Sequence, residues 1–139
     1  MYRGSIELKL QGRRIYKGKA LGKPIITKQN ISFYGGVDPD TGVITEKGHE
    51  LEGKSVANKI LAFPTGKGST VGSYVLYRLK KNDKAPAAIL NEKCDPIVAV
   101  GCIISEIPCI DGIDIKKISK DTFLEIDGDN ATIKMKKIN

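Results

Sequence analysis

Hydrophobic and polar positions change their period along this chain. Thr122 to Ile126 and Ala131 to Lys136 alternate in period two, and Asp127-Gly128-Asp129-Asn130 between them predicts a hairpin turn. Lys59-Ile60-Leu61-Ala62-Phe63 and Ala87-Ala88-Ile89-Leu90 are short apolar runs of the kind found in buried strands. Between them Val71, Val75, Leu76 and Leu79 fall on one helical face, so a helix is expected from Ser69 to Lys80, ended by Asn82-Asp83 and Pro86. Asp95 with Pro96 after it reads as a cap and first position for a second helix, which continues from Ile97 to Ser105. Pro108-Cys109-Ile110 is a third short strand.

The order strand–helix–strand–helix–strand between 59 and 110 predicts a small parallel βαβαβ unit. Upstream, residues 12–27 (GRRIYKGKALGKPIIT) break at glycines and read as one or two strands. Ile31-Ser32-Phe33-Tyr34 reads as a short strand stopped by Gly35-Gly36, and Val37-Asp38-Pro39-Asp40-Thr41-Gly42 as a structured loop. Residues 43–57 read as an irregular surface connection. The flanking strands are expected to make a second sheet or close a barrel. With no repeat or low-complexity linker, the 139 residues read as one domain, 1–139, with 114–139 a C-terminal β-hairpin extension. The fold class is α/β with additional β-structure.

Composition narrows the function classes. Apolar residues at 40 % and charged residues at 28 % are ordinary for a globular protein. No apolar run approaches the ~20 residues that cross a bilayer, and MYRGSIELKL does not read as a signal peptide. No membrane role is therefore expected, and the chain is read as cytoplasmic. Cys94, Cys102 and Cys109 contain no C-x-x-C pair, so they read as reduced, mostly buried thiols, and no metal site is expected. The formal charge of +7 suits an anionic substrate or an acidic partner. Nucleic acid is not expected as a partner: aromatics are only 6 % and no recognised binding motif is present.

The segment Phe63 to Leu79, FPTGKGSTVGSYVLYRL, carries the candidate chemistry. Gly66 and Gly68 bracket Lys67 just before Ser69 and Thr70. Glycines allow close backbone approach, and a helix start offers unpaired N–H groups and a partial positive charge. Such a place favours a carboxylate, a phosphate or a developing alkoxide. Two readings of Ser69 stand at this point: a reactive hydroxyl, or an N-cap. A Walker A loop is excluded because Lys67 precedes Gly68, and a G-x-S-x-G elbow because Gly72 is three residues past Ser69. His49, the one histidine, reads as a solvated loop residue. The chain therefore lacks a complete catalytic kit, and a catalytic Ser69 needs a second polypeptide.

FPTGKGSTVGSYVLYRL, Gly35-Gly36-Val37-Asp38-Pro39 upstream, APAAIL at 85–90 and DPIVAVGCIISEIP at 95–108 together resemble the small subunit of the aconitase-X family. The resemblance spans residues 10 to 112 and does not reach the hairpin. It implies the swivelling β/β/α domain of aconitases as a separate chain. It also implies a large partner subunit in a heterodimer, with a [4Fe-4S] cluster in that partner. The implied reaction, in the archaeal mevalonate route to isoprenoids, is dehydration of (R)-5-phosphomevalonate to trans-anhydromevalonate 5-phosphate. Ser69 would be the proton acceptor. Gly66, Lys67, Gly68 and Thr70 would bind substrate, and Gly35, Gly36 and Asp38 would line the pocket or the interface, or form only a turn. Classical aconitases read G-S-S-R-E-H at the serine, whereas here Thr70, Val71 and Gly72 follow it. The substrate-gripping arginine is missing, so its role passes to Lys67, to Arg13 or Arg14, or to the partner, and citrate is disfavoured. Alternatives are a relative acting on hydroxyproline, a stand-alone anion- or nucleotide-binding module, and a phosphocarrier using His49.

Overall fold

The computed structural model describes residues 6–137, with only the backbone of Ile6 and Glu7. The opening residues of the N-terminal leader reading and the last two residues of the basic C-terminal run lie outside the described residues.

The core of the molecule is the expected parallel unit. β5 (Ile60–Phe63), α2 (Gly72–Lys81), β6 (Ala88–Asn91), α3 (Pro96–Ser105) and β7 (Cys109–Asp111) follow one another. β4 (Pro24–Ile26) joins parallel to β5, and β2 (Arg13–Tyr16) pairs antiparallel with β7, giving a five-stranded sheet in the order β2-β7-β6-β5-β4. Strands β5 and β6 are buried at every position because both faces of this sheet are covered. Leu61, Phe63, Ile89 and Cys109 face the helices, while Ile60, Ala62, Ala88, Leu90 and Ile110 face the other way.

That other way lies a second sheet. β1 (Ile6–Gln11), β9 (Thr132–Lys137), β8 (Thr122–Asp127) and β3 (Lys19–Gly22) form a four-stranded antiparallel sheet in that order. The β8–β9 hairpin forms its middle. Its Leu124, Ile126, Ile133 and Met135 pack on Ile60, Ala62, Leu90 and Ile110 of the first sheet. The hairpin is thus half of the inter-sheet core, and the layers run β/β/α.

Several local expectations are corrected. The stretch 12–27 holds three strands, because the chain switches sheets at Gly12, again at Gly18 and a third time at Lys23. A Cβ on Gly12 would lie 2.4 Å from the Asp111 carbonyl oxygen, so only glycine fits at the first crossing. Ile31–Tyr34 is not a strand: only Ile31 bridges, to Gly66, and Phe33–Gly36 (α1) is a single turn that Gly35 breaks with φ +82°. Residues 43–57 are not a surface connection. Ile44, His49, Leu51 and Val56 are buried, and Ile44, Leu51 and Val56 belong to the core beneath the helices. Helix α2 begins at Gly72 and not at Ser69, which lies in the turn before it. Asp95 does cap α3, with Pro96 behind it, as expected.

Candidate functional site

The Gly66–Ser69 loop leaves the C-terminal end of β5, the edge of a parallel sheet where ligands usually bind. It is tied down from both sides. Ile31 donates its N–H to the Thr65 carbonyl at 3.4 Å, and Lys67 returns a bond to the Ile31 carbonyl at 3.0 Å. From the other side, Asp95 Oδ1 accepts the Gly66 N–H at 3.0 Å, while its Oδ2 accepts the Ile97 N–H at 3.1 Å. One carboxylate thus caps α3 and anchors the loop.

The glycines are required by their neighbours. A Cβ on Gly66 would lie 2.4 Å from Asp95 Oδ1 and 2.7 Å from Val98 Cγ2. Gly68 has φ +92°, and a Cβ there would lie 2.4 Å from Ser32 Oγ. The loop is therefore pressed against the Ser32–Gly36 turn, and the structure brings these two sequence-predicted loops together. Gly36 accepts the Thr45 N–H at 2.9 Å. Asp38 holds its own loop, accepting the Asp40 N–H at 2.8 Å on Oδ1. Gly35, Val37 and Asp38 share a hollow of about 420 Å³ with Tyr34, Val71 and Tyr74.

Ser69 is exposed, and its Oγ accepts the Val71 N–H at 3.2 Å. Its carbonyl accepts the Gly72 N–H at 2.9 Å, closing the turn that leads into α2. The hydroxyl thus does part of a cap's work and still faces outward. The Gly66 and Lys67 amides are already used. Those of Gly68, Ser69 and Thr70 donate to no group among the described residues. The amides left free are therefore those of residues 68–70, two residues further along than the Gly66–Gly68 bracket. Gly66 is a packing residue whose N–H belongs to Asp95.

Lys67 is not a bare charge. Its Nζ lies 3.1 Å from Glu46 Oε2, with both side chains partly exposed. Glu46 lies in the 43–57 segment, where no local pattern marked it. Arg13 is committed as well: its Nε and Nη2 grip Asp111 at 2.9 and 2.8 Å, and the Cys94 N–H adds a bond to Asp111 at 2.9 Å. Burial pushes the Asp111 carboxyl up, but the Arg13 guanidinium and the Cys94 amide outweigh it and hold the group below the usual aspartate range.

The histidine expectation fails. His49 is buried, its Nδ1 accepts the Leu51 N–H at 3.1 Å, and its Nε2 lies 3.1 Å from the Asn30 carbonyl oxygen. Accepting at Nδ1 requires the lone pair there, so Nε2 carries the proton and donates to Asn30. Both nitrogens are occupied, which removes the phosphocarrier reading.

The three cysteines, spaced widely in sequence, meet in space. Cys94 Sγ is 3.9 Å from Cys109 Sγ, and Cys102 lies in the same core cluster as Cys109. All three are free thiols. The bond to Cys109 and then burial push the Cys94 thiol far up. Among the described residues no group of three or more histidine, cysteine or acidic side chains could hold a metal ion. No helix among them is long and apolar enough to cross a membrane.

Comparison with known proteins matches this geometry. The family model for the aconitase X swivel domain matches residues 9–135, which takes in all but the last two residues of the hairpin. The chain is 49 % identical over 128 residues to the phosphomevalonate dehydratase small subunit of Thermococcus kodakarensis, covering 92 % of this chain and 96 % of that one. It is 57 % identical over 109 residues to the protein of the same name from Methanosarcina mazei, covering 78 % and 76 %. A crystal structure of Thermococcus kodakaraensis aconitase X in its holo form superposes with a TM-score of 0.90 at 49 % identity, covering 92 % of this chain and 98 % of that one. The match in sequence, length and three-layer fold places this chain in the aconitase X swivel-domain family.

Proposed function

We propose that this chain is the small subunit of a two-chain hydro-lyase that removes water from (R)-5-phosphomevalonate to give trans-anhydromevalonate 5-phosphate, with Ser69 as the proton acceptor. The substrate rests on the names of the relatives, which match this chain over most of its length. The chemistry rests on one observation: the exposed Ser69 hydroxyl takes a backbone N–H at 3.2 Å, beside three consecutive amides with no partner among the described residues, in the turn that leads into a ten-residue helix.

Dehydration beside a carboxylate needs a base for a carbon-bound proton. A serine is a weak base unless its alkoxide is favoured over its hydroxyl. The Val71 N–H aimed at Ser69 Oγ does this, because a donor stabilises the charged acceptor more than the neutral one. The positive end of α2 acts in the same direction. The amides of Gly68, Ser69 and Thr70 form a cradle for a substrate carboxylate or phosphate. Lys67 is beside them, and its exposed pairing with Glu46 is weak enough to exchange for a substrate anion.

This reading assigns a [4Fe-4S] cluster to the larger subunit. The residues of this chain do not fit one: Cys94 and Cys109 hydrogen-bond each other with both thiols pushed well above the ordinary range, and among the described residues no group of three histidine, cysteine or acidic side chains could hold a metal ion. The test is co-expression with the larger subunit and an assay of phosphomevalonate dehydration. Ser69→Ala is expected to lower turnover by about 100-fold or more, the usual loss for a removed general base. Unchanged turnover overturns the role of Ser69.

A further inference from the structure

Helix α3, PIVAVGCIIS, contains no charged residue. Its inner face is filled by Val98, Gly101, Cys102 and Ser105. A helix apolar all round is normally covered on every side. Here Val100, Ile103 and Ile104 stay 42–49 % exposed. Helix α2 adds Tyr74 and Tyr77, and its N-cap adds Val71, at 40–66 % exposure. The two helices are held close by small residues: a Cβ on Gly101 would lie 2.4 Å from Leu76 Cδ1, and Ser73 Oγ donates to the Ile97 carbonyl at 2.7 Å. Their outer faces therefore form one apolar strip. At the α2 end the strip meets Tyr34 in the hollow beside the Ser69 loop.

We infer that this strip is the docking surface for the larger subunit, which would meet it with apolar side chains bordered by carboxylates. The identity of that occupant rests on the function proposed above. Two features favour it over a second copy of this chain. The strip's border at the end of α2 is cationic: Lys80 and Lys81 stand there beside Arg78, which pairs with Asp40 at 3.3 Å, and the Lys81 ammonium lies 5.8 Å from the Tyr77 ring centre on the strip itself. Two copies would bring together two chains of +7 charge, whereas an acidic partner complements that charge. The strip is also small. Two helices side by side present about 15 by 20 Å, well under the ~800 Å² per side of a stable contact. The remainder has to come from adjoining surface, and the adjoining surface holds the incomplete site. A chain seated on the strip would therefore also close over Ser69.

The test uses the co-expressed two-subunit complex. The variants are Val100→Glu and Ile103→Glu, at residues about half exposed that belong to neither core cluster. Each is expected to weaken retention of the larger subunit at least 100-fold, while the small chain is recovered with a cooperative melt. Ile103→Leu is expected to keep the complex. Ser69→Ala should also keep it while losing turnover, which separates failure of the interface from failure of the proposed reaction. Undiminished complex with both glutamate variants overturns the inference. So does a homodimer of the small chain that the same variants split, because it assigns the strip to a second copy.

Discussion

Asp95 and Gly66 are joined by a 3.0 Å hydrogen bond across 29 residues of sequence, and the same carboxylate caps α3. One side chain therefore sets both a helix start and the position of the loop that carries Ser69. Asp95→Ala should lose the cap, worth about 0.5–2 kcal/mol, and also release the loop amide. We expect Tm to fall by roughly 5–10 °C and turnover of the two-chain enzyme to fall with it. Asp95→Asn still caps α3 but can satisfy only one of the two N–H groups with its single carbonyl oxygen. It should recover much of the Tm and little of the turnover. Differential scanning fluorimetry beside the dehydration assay reads both.

Gly68 has φ +92° and lies against Ser32. Gly68→Ala should cost about 1–3 kcal/mol from backbone strain, with an added clash against Ser32 Oγ. Combining it with Ser32→Ala removes the clashing oxygen and leaves the strain. The double variant should therefore be more stable than Gly68→Ala alone. Equal melting temperatures would show that contact with Ser32 contributes nothing.

Lys67 is predicted to act in binding. With the charge removed, Lys67→Ala should raise KM for the anionic substrate by about 10- to 100-fold, the loss of one charge-assisted bond, and change kcat less. Glu46→Gln frees the ammonium from its 3.1 Å partner and should lower KM. Steady-state kinetics of the two variants should move in opposite directions.

Asp111 gives a pH dependence with a definite sign. Its folded pKa lies below the ordinary 3.8 despite burial, because Arg13 and the Cys94 amide favour the carboxylate. The unfolded chain therefore binds more protons in acid. The stabilisation is complete above the ordinary value and is lost as pH falls through the folded value. The Tm gap between the native chain and Asp111→Asn should stay constant above about pH 5 and shrink below about pH 4. A gap that widens in acid would contradict the ion pair.

The Cys94 thiol, half-buried and bonded to Cys109, should stay protonated through neutral pH. Thiolate is the reactive form. Iodoacetamide at pH 8 should label Cys94 at least tenfold more slowly than a free cysteine, whose pKa is about 8.5. Peptide mass spectrometry over time measures this. Labelling at the free-thiol rate would mean the hydrogen bond to Cys109 does not hold in solution.

Local physics made much of this legible in the chain itself. The βαβαβ order followed from apolar runs and one helical face, and α3 began at the Asp-Pro pair that caps it. The Gly66–Ser69 loop stood out because glycine and serine at a helix start have few other uses. The Ile31–Tyr34 segment misled because β-propensity says nothing of what lies beside it. Only Ile31 finds a bridging partner, and Gly35 turns the chain away. Residues 43–57 misled for a related reason: their apolar positions are scattered without a period, yet the loop folds them into the core.

The sequence by itself determined the parallel unit, the caps and the serine loop, because periodicity, capping and positive-φ glycines act over a few residues. Tertiary structure alone decided the rest. It placed Asp95 on Gly66, Glu46 on Lys67 and Arg13 on Asp111, and it brought three distant cysteines together. It buried His49 between two backbone partners and set the C-terminal hairpin in the middle of a sheet. Each of these depends on which loops and edges the sheet order makes neighbours, and no local pattern carries that information.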